Sequence, residues 1–590
     1  MRSTNRSTLW RLLAVLLSFV LIAAACGGDS DDDENTGDDT ETTDDTGGDD
    51  DAADDGGDDD AADEADATDD SADDAEEPEV VTEGVKRGGN LTYLLEAESD
   101  TWDIPGANCA VSCITVMRSV MDPLTIVNVN GDVEPYLLES IEANEDFTSY
   151  TLTMREGITF HDGTPADGAA VLRNLQEMAA GLLQGQVLVD LVRDAEGNIT
   201  GLTLVDEMTV QVDFTVPFAT FPFNIAERTG WLIAPSYWDN PERAGALAVG
   251  TGPFMMTEWT RGEQTVVTAN PDYWRTDAEG EALPYLDSIT FRPVPDVSAR
   301  RATMEAGDAE GNMDSFGENK AFWNEDWVAD GGQLLVPSPA RETTYLLINN
   351  ANETMADPEL RTALAHCTNR DEYLAFRAPG NELANGPFAE GALGYLEDPG
   401  FPQFDPDLGN EILDRIGRPE VINYGTTNVP SNLLTAELFV DMWSTNCGLN
   451  VQIDQFDQSE LITKAITGDF EMFLWRNHGQ GNPGLEYVWW HSRHAVGLAL
   501  NFGRIVDPDL DALMQQTWAT DDRAELDAIG QDINRLFAEN VYNIWLNTTE
   551  WANPFQSYVR NFGVVTLPSG ELAQPGIAGR TWLVEAWLDT

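Results

Sequence analysis

The part of the chain from residue 86 onward alternates between two hydrophobic periods. Tyr150, Leu152 and Met154 alternate with threonines, which predicts a strand with one buried face, and the segment 208–214 repeats this pattern. Between these segments the apolar positions fall on one helical face, at Val171, Leu172, Leu175, Met178, Ala179 and Leu182. Strands and helices mixed in this order predict an α/β architecture.

Asp-Pro pairs and one glycine mark predicted helix ends. Asp357 and Asp507 each precede a proline and an apolar helical face, so each is predicted to be an N-cap. Ser431 is predicted to cap a third helix, which ends at Gly448 directly after Cys447. Further strands are predicted at 449–454, 470–475 and 541–547.

The first 85 residues differ in composition from the rest. The short apolar run 12–22 follows three arginines and precedes Ala-Ala-Ala-Cys, which predicts a secretory signal over 1–25. A cysteine after small residues resembles the bacterial lipobox, so we expect a lipid on Cys26. Residues 27–85 contain 29 acidic side chains and no lysine, arginine or aromatic residue. The segment 26–85 is therefore predicted to be a disordered tether.

Charge excludes one class of partner. The chain has 105 acidic and 31 basic side chains, for a net charge of −74. Because phosphate binding depends on basic side chains, nucleic acid is excluded, and anionic membrane surfaces are disfavoured. We expect contact with a membrane only through the lipid.

Four further cysteines remain: Cys109, Cys113, Cys367 and Cys447. An even number in an exported protein favours disulfides, and three pairings are possible. We favour Cys109 with Cys113 and Cys367 with Cys447, because the latter two lie at comparable places on consecutive helical segments. Zinc is the alternative, but the C-x3-C spacing has no second matching pair nearby.

Several motifs occur in a fixed order along residues 88–565. They are YTLTMREGITFHDGTPADGAAV at 150–171, VGTGPFMMTEWTRGEQTVVTANPDYW at 249–274, PYLDSITFRPVPD at 284–296, TYLLINN at 344–350, DPELRTALAHCTNRDEY at 357–373 and GDFEMFLW at 468–475. Together they resemble the family 5 extracellular solute-binding proteins, the peptide, dipeptide and nickel receptors of ABC importers. Gly250 and Gly252 in the second motif permit a tight crossing of the chain.

The resemblance implies a two-lobed fold of the periplasmic-binding-protein type (type II) with an inserted subdomain and a ligand cleft between the lobes. It places lobe I at 86–128, 235–345 and 550–590, the insertion at 129–234, and lobe II at 346–549. It also implies hinge closure around a small polar solute, such as an oligopeptide or dipeptide, and delivery to an ABC permease and ATPase. We expect a monomer on the extracytoplasmic side of the cell membrane, at the cell surface or in the periplasm, with no cofactor.

Candidate ligand contacts come from the same resemblance. Peptide receptors of this family bind the ligand's amino group with an Asp shortly after the tryptophan that ends one strand, but here Trp475 precedes Arg476, Asn477 and His478. Either the ligand lacks a free amino terminus, or another acid such as Glu96, Glu98 or Asp100 supplies the charge. Further candidates in family cleft segments are Trp102, Tyr345, Asn349 and Asn385.

Other functions stay open at this point. Sugar, opine and nickel-chelate receptors share the expected fold, and a sensing or adhesion lipoprotein could keep it without transport. His478, His491 and His494 lie within 17 residues of one another, but their spacing is not a strong metal frame, and we expect no metal site. We expect no enzyme activity, since no G-x-S-x-G, S-x-x-K or H-E-x-x-H motif occurs.

Overall fold

The structure, a computed structural model, describes residues 80–590 except 108–110, 182–183, 228, 316, 337–341, 478 and 480. The predicted signal, Cys26 and most of the predicted tether lie outside the described residues. Cys109 lies outside them as well, so its pairing with Cys113 stays a prediction. Within the described ranges, no helix is both long and apolar enough to span a bilayer.

Strands occur along the whole described chain. In chain order they are β1 Asn90–Leu95, β2 Thr125–Val127, β3 Val133–Pro135, β4 Leu138–Ala143, β5 Ser149–Met154, β6 Leu202–Leu204, β7 Thr209–Asp213, β8 Phe254–Thr260, β9 Gln264–Ala269, β10 Ser288–Pro293, β11 Gly311–Asn312, β12 Gln333–Leu335, β13 Glu342–Ile348, β14 Ile422–Thr427, β15 Val451–Phe456, β16 Met472–Asn477, β17 Asn543–Thr549, β18 Asn553–Phe555, β19 Val559–Arg560, β20 Gly576–Ile577, β21 Arg580–Thr581 and β22 Trp587–Leu588.

Helices cover the sheets. The α-helices are Val111–Val120, Gly168–Ala180, Gln184–Val187, Phe221–Glu227, Pro235–Trp238, Val297–Ala306, Gly317–Ala321, Pro358–Cys367, Arg370–Arg377, Pro406–Ile416, Pro430–Cys447, Gln458–Thr467, Tyr487–Trp490, Pro508–Thr517 and Arg523–Asn540. Short 3-10 turns lie at Arg243–Gly245, Pro483–Glu486 and Ser492–His494, and a π-helical turn at Phe322–Trp327.

Three larger sheets divide the described chain. A seven-stranded sheet has the order β12-β18-β11-β1-β10-β9-β8, and a five-stranded sheet has the order β15-β14-β16-β13-β17. The chain passes from the first sheet to the second between β12 and β13, and it returns between β17 and β18. We call the part around the seven-stranded sheet lobe I and the part around the five-stranded sheet lobe II.

A separate four-stranded sheet, β4-β5-β7-β6, lies between the first and later strands of lobe I in the sequence. Its antiparallel strands show the alternating burial expected of a sheet with one covered face. This sheet falls within the predicted insertion, whose exact limits, like those of the lobes, stay predictions.

Several local predictions are confirmed. Asp357 and Asp507 are N-caps whose side chains accept from backbone N–H groups of the first helical turn, and Gly448 ends its helix in the left-handed conformation. Cys367 and Cys447 form a disulfide with 6.0 Å between their Cα atoms. It ties together the ends of two helices that pack against each other.

The predicted cap at Ser431 is wrong. That helix begins at Pro430, and Val429 is the N-cap without a side-chain hydrogen bond. The fixed φ of proline suits the first helical position, so the helix starts two residues earlier than it would with Ser431 as its N-cap. The last predicted strand also begins later, at Asn543, because Val541 takes a left-handed conformation that ends the preceding helix.

The predicted crossing at Gly250 and Gly252 is present. A Cβ atom on Gly250 would overlap the carbonyl oxygen of Val120, and one on Gly252 would lie 2.6 Å from the Val120 carbonyl carbon. The glycines therefore let this segment pass directly over the end of the helix Val111–Val120. That helix forms part of the lobe I side of the site.

Candidate ligand-binding site

A cavity of about 600 Å³ is lined by both lobes and by the strands that connect to them. This volume lies within the usual range for small-molecule clefts. The lining is mixed, with apolar side chains on the lobe I helix and polar side chains on the sheet of lobe II. The polar and charged lining residues are Glu227, Ser315, Glu342, Thr344, Arg377, Asn381, Thr426, Thr427, Asn432, Arg476, Asn477, Asn547, Thr549 and Arg580.

Three strands of lobe II supply one polar wall. In the sheet register Thr344 of β13 pairs with Arg476 of β16 on one side and with Asn547 of β17 on the other. Residues directly opposite each other in antiparallel strands project from the same face, so these three side chains form a row. β13 and β17 are also the strands nearest the two chain crossings.

Arg476 is held by a small cluster in this wall. Its Nε lies 3.1 Å from Oε2 of Glu342, and its guanidinium lies over the Trp551 ring, 4.7 Å from the ring centre. Trp551 donates from Nε1 to the same carboxylate oxygen at 3.0 Å. The cluster fixes the direction of Arg476 before any ligand arrives, which lowers the entropic cost of binding.

The lobe I wall carries a buried charge group. Nη2 of Arg118 lies 2.9 and 3.2 Å from the two carboxylate oxygens of Glu227, and Nη1 of Arg580 lies 3.4 Å from Oε2. All three side chains are less than a tenth exposed. Burial lowers the pKa of Arg118 to about 10, with Arg580 acting in the same direction and Glu227 opposing both. Two guanidiniums thus share one carboxylate.

Two buried amide oxygens in the lining have no hydrogen-bond donor. They are Oδ1 of Asn381 and Oδ1 of Asn547, whose side chains are 8% and 2% exposed. Nδ2 of Asn547 donates to the Thr548 carbonyl at 2.9 Å, which identifies Oδ1 as the atom left over. A buried acceptor without a donor is unfavourable, and a bound N–H or O–H group would satisfy it.

Three of the predicted contacts lie at the end of β16 and reach this cavity. Trp475, Arg476 and Asn477 all line it, and His478 lies outside the described residues. Their roles as ligand contacts stay predictions, since no ligand is present.

The structure places the other four candidates among neighbouring protein groups, apart from the cavity lining described above. Trp102 is 1% exposed and packs edge-on against Trp259, and Tyr345 packs against Trp545. Asn349 donates to the carbonyls of Gly468 and Phe470, and Asn385 donates to the carbonyl of Glu397. The roles of these four residues as ligand contacts stay predictions.

Two of the acids proposed as substitutes for the missing Asp, Glu96 and Glu98, have partners in lobe I. Glu96 accepts from the backbone and hydroxyl of Ser315 and pairs with Arg300 at 3.4 Å. Burial raises its pKa despite these partners and Arg476. Glu98 accepts from the indole of Trp259 at 3.0 Å. The carboxylates in the lining itself are Glu227 and Glu342.

The two described histidines of the sequence cluster are buried in lobe II. Nδ1 of His494 lies 3.1 Å from Oε1 of Gln186, and Nε2 of His491 lies 3.2 Å from Nε2 of Gln515. Burial lowers the pKa of His494 to about 3, so it is neutral at physiological pH. In the part of the chain that the structure describes, no group of three His, Cys, Asp or Glu side chains is placed to hold a metal.

Sequence reasoning missed Glu227, Arg580 and Asn547. Glu227 and Arg580 are 353 residues apart in the chain, and no motif surrounds either one. Only the meeting of the C-terminal segment with the helix Phe221–Glu227 brings them to the cavity.

Fold and cavity together define a class: a two-lobed binding protein with its ligand cleft between the lobes. A family profile described as "Bacterial extracellular solute-binding proteins, family 5 Middle" matches residues 132–497. The chain belongs to this family.

Curated relatives are similar over part of their length. The glutathione-binding protein GsiB of Pectobacterium atrosepticum is 28% identical over 334 residues, which cover 55% of this chain and 61% of that protein. GsiB of Salmonella typhi is 27% identical over 382 residues, covering 64% and 67%. The chain therefore spans about three fifths to two thirds of these relatives.

Solved structures share the fold at low identity. DppA of Helicobacter pylori in complex with the peptide STSA has a TM-score of 0.72 at 18% identity, covering 86% of this chain and 99% of that one. AppA of Bacillus subtilis in complex with a nonapeptide has a TM-score of 0.71 at 18% identity, covering 86% and 100%. AgaA of A. tumefaciens R10 in complex with agropinic acid has a TM-score of 0.70 at 21% identity, covering 85% and 99%.

Proposed function

We propose that this protein captures a short peptide between its lobes and delivers it to the permease of an ABC importer. The observation that carries the proposal is the cavity of about 600 Å³, lined by lobe I, by lobe II and by the strands nearest the two chain crossings. A ligand can drive closure only if it binds the closed form better than the open one. Contacts from both lobes provide that difference.

The polar lining suits a peptide-like ligand. Arg377, Arg476 and Arg580 are suited to carboxylates, and the oxygens of Asn381 and Asn547 are suited to N–H donors. The relatives named for glutathione and the neighbours solved with peptides support the same substrate class. Trp475 adds an aromatic face on which an apolar part of the ligand can pack.

The anchoring belongs to the same proposal. We infer that residues 1–25 direct export, that Cys26 carries a lipid, and that the acidic tether holds a monomeric binding unit outside the cell membrane. Replacing Cys26 by Ser should release the protein into the soluble extracytoplasmic fraction. A Cys26→Ser variant that stays in the membrane fraction would contradict the lipid anchor.

Ligand screening tests the function directly. The full chain should melt at a higher temperature in the presence of short peptides, because a ligand that binds only the native state stabilises it. Calorimetry should then give a dissociation constant near or below about 1 μM, which corresponds to about −8 kcal/mol. Sugars, opines and nickel chelates form the comparison set. A melting shift with one of these and none with peptides would replace the proposed substrate class.

A matched pair of variants locates the binding. Trp475→Ala removes an aromatic side chain from the lining and should weaken peptide binding several-fold. Val506→Ala removes a side chain that is 69% exposed and should leave the affinity unchanged. Equal effects in the two variants would place the ligand elsewhere.

A further inference from the structure

The lobe I wall of the cavity contains an excess of buried positive charge. Arg118 and Arg580 share the single carboxylate of Glu227, and all three side chains are more than nine-tenths buried. A charge removed from water is costly unless it is paired. The group thus lacks one negative charge at a wall that faces the ligand.

Arg580 has a donor group that these contacts do not use. Its Nε donates to the Ile577 carbonyl at 2.9 Å, and its Nη1 faces Glu227. Nη2 takes part in neither contact. A guanidinium presents several donors in one plane, so Arg580 can keep Glu227 and still bind a second carboxylate.

The charged residues of the described lining also leave a net positive charge. Arg377, Arg476 and Arg580 face the cavity together with Glu227 and Glu342, so cations exceed anions by one. The nearby acid Glu96 accepts from Ser315 and pairs with Arg300 at 3.4 Å, and it is not among the residues that line the cavity.

The opposite wall requires donors. The unpaired oxygens of Asn381 and Asn547 can only accept hydrogen bonds. A ligand whose only polar groups are carboxylates has no N–H or O–H group to donate to them. The ligand must bring N–H groups to this side and negative charge to the other. A peptide with an acidic side chain has both.

We infer that the cavity selects peptides of net negative charge, with the surplus carboxylate bound at Arg580 and peptide N–H groups bound at Asn381 and Asn547. This inference rests on the proposed peptide-binding function and names the class of peptide within it.

Three tripeptides that differ in one side chain test the inference by calorimetry on the full chain. Ala-Glu-Ala carries the surplus charge, Ala-Gln-Ala is its neutral counterpart of the same shape, and Ala-Lys-Ala carries the opposite charge. We expect Ala-Glu-Ala to bind at least about tenfold more tightly than Ala-Gln-Ala, as a charge-assisted bond to a buried arginine predicts. Ala-Lys-Ala should bind more weakly than both.

Two variants then assign the preference to its residue. Arg580→Gln leaves Arg118 and Glu227 as a one-to-one pair and should reduce the preference for Ala-Glu-Ala to less than about threefold, with little change for Ala-Gln-Ala. Arg415→Gln, at a side chain that is 56% exposed in lobe II, should keep the full preference.

The outcomes separate the inference from the function. Equal binding of Ala-Glu-Ala and Ala-Gln-Ala by the unaltered protein would overturn the charge selection and leave peptide binding intact. A preference for Ala-Glu-Ala that survives Arg580→Gln would overturn the assignment of the carboxylate-binding site to Arg580. If none of the three peptides binds, the proposed function fails and the inference fails with it.

Discussion

Asp122 gives the folded protein a pH dependence that one substitution should remove. The carboxylate is 1% exposed and accepts from the indole of Trp274 at 2.9 Å, the phenol of Tyr273 at 3.2 Å and the hydroxyl of Thr251 at 3.3 Å. Burial raises its pKa from 3.8 to about 6, because the loss of hydration outweighs these hydrogen bonds and the nearby Arg275.

The sign and size follow from the two pKa values. The folded state binds more protons than the unfolded state between pH 3.8 and about 6. The stabilisation from the protonated form is therefore complete below pH 3.8 and is lost as the pH rises through 6. At pH 5 the group contributes about 1.4 kcal/mol, and at pH 7 about 0.1 kcal/mol. The free energy of unfolding should fall by about 1.3 kcal/mol over this range from Asp122 alone.

Urea unfolding at pH 5, 6 and 7 measures this contribution. Asp122→Asn removes the titration, and the hydrogen bonds it alters do not depend on pH. The unaltered protein should lose about 1.3 kcal/mol more than Asp122→Asn between pH 5 and pH 7, since all other titrating groups are common to both. Asp441→Asn, at an exposed position, should follow the unaltered protein. Parallel curves for the unaltered protein and Asp122→Asn would refute the reasoning.

Three further substitutions test the packing. Cys447→Ser opens a disulfide that joins residues 80 apart in sequence and should lower the free energy of unfolding by about 2–5 kcal/mol in urea titrations; an unchanged midpoint would contradict this. Gly250→Ala should lower the melting temperature strongly because its Cβ would meet the Val120 carbonyl, whereas Gly245→Ala has open space and should melt as the unaltered protein does. Trp518→Ala removes a ring stacked between two aromatic neighbours, with ring centres 3.7 and 4.1 Å away, and should lower the free energy of unfolding by about 3–5 kcal/mol. A loss below about 1 kcal/mol would show that the stack contributes little.

Features that depend on neighbouring residues could be predicted from the sequence. The Asp357 side chain accepts from the backbone N–H two residues later. Gly448 takes the left-handed conformation that ends its helix, and this depends on its own helix rather than on distant parts of lobe II. Such contacts join residues only a few positions apart, so the local sequence contains nearly all the information needed to predict them. The same holds for the cavity residues at the end of β16, because the strand itself is recognisable in the sequence.

Features that depend on distant residues could not be predicted. The sequence does not reveal that Trp102 packs edge-on against Trp259, more than 150 residues later in the chain. Arg580 and Glu227 meet only after the C-terminal segment has packed on lobe I. A sequence reveals that a chain contains arginines and glutamates, but not which of them become buried together.

The surface charge and the cavity charge act over different distances. The whole chain carries a net charge of −74, which repels an anionic solute from afar, but at 0.1 M salt such fields decay over about 10 Å. Within the cavity, Arg580 and Arg476 line the proposed site, where the surrounding protein shields them in part from salt. An acidic surface is therefore compatible with a site that retains anions. Under the proposed function, we expect the ratio of arginine to glutamate in the lining, rather than the overall charge, to determine which peptide the closed protein retains.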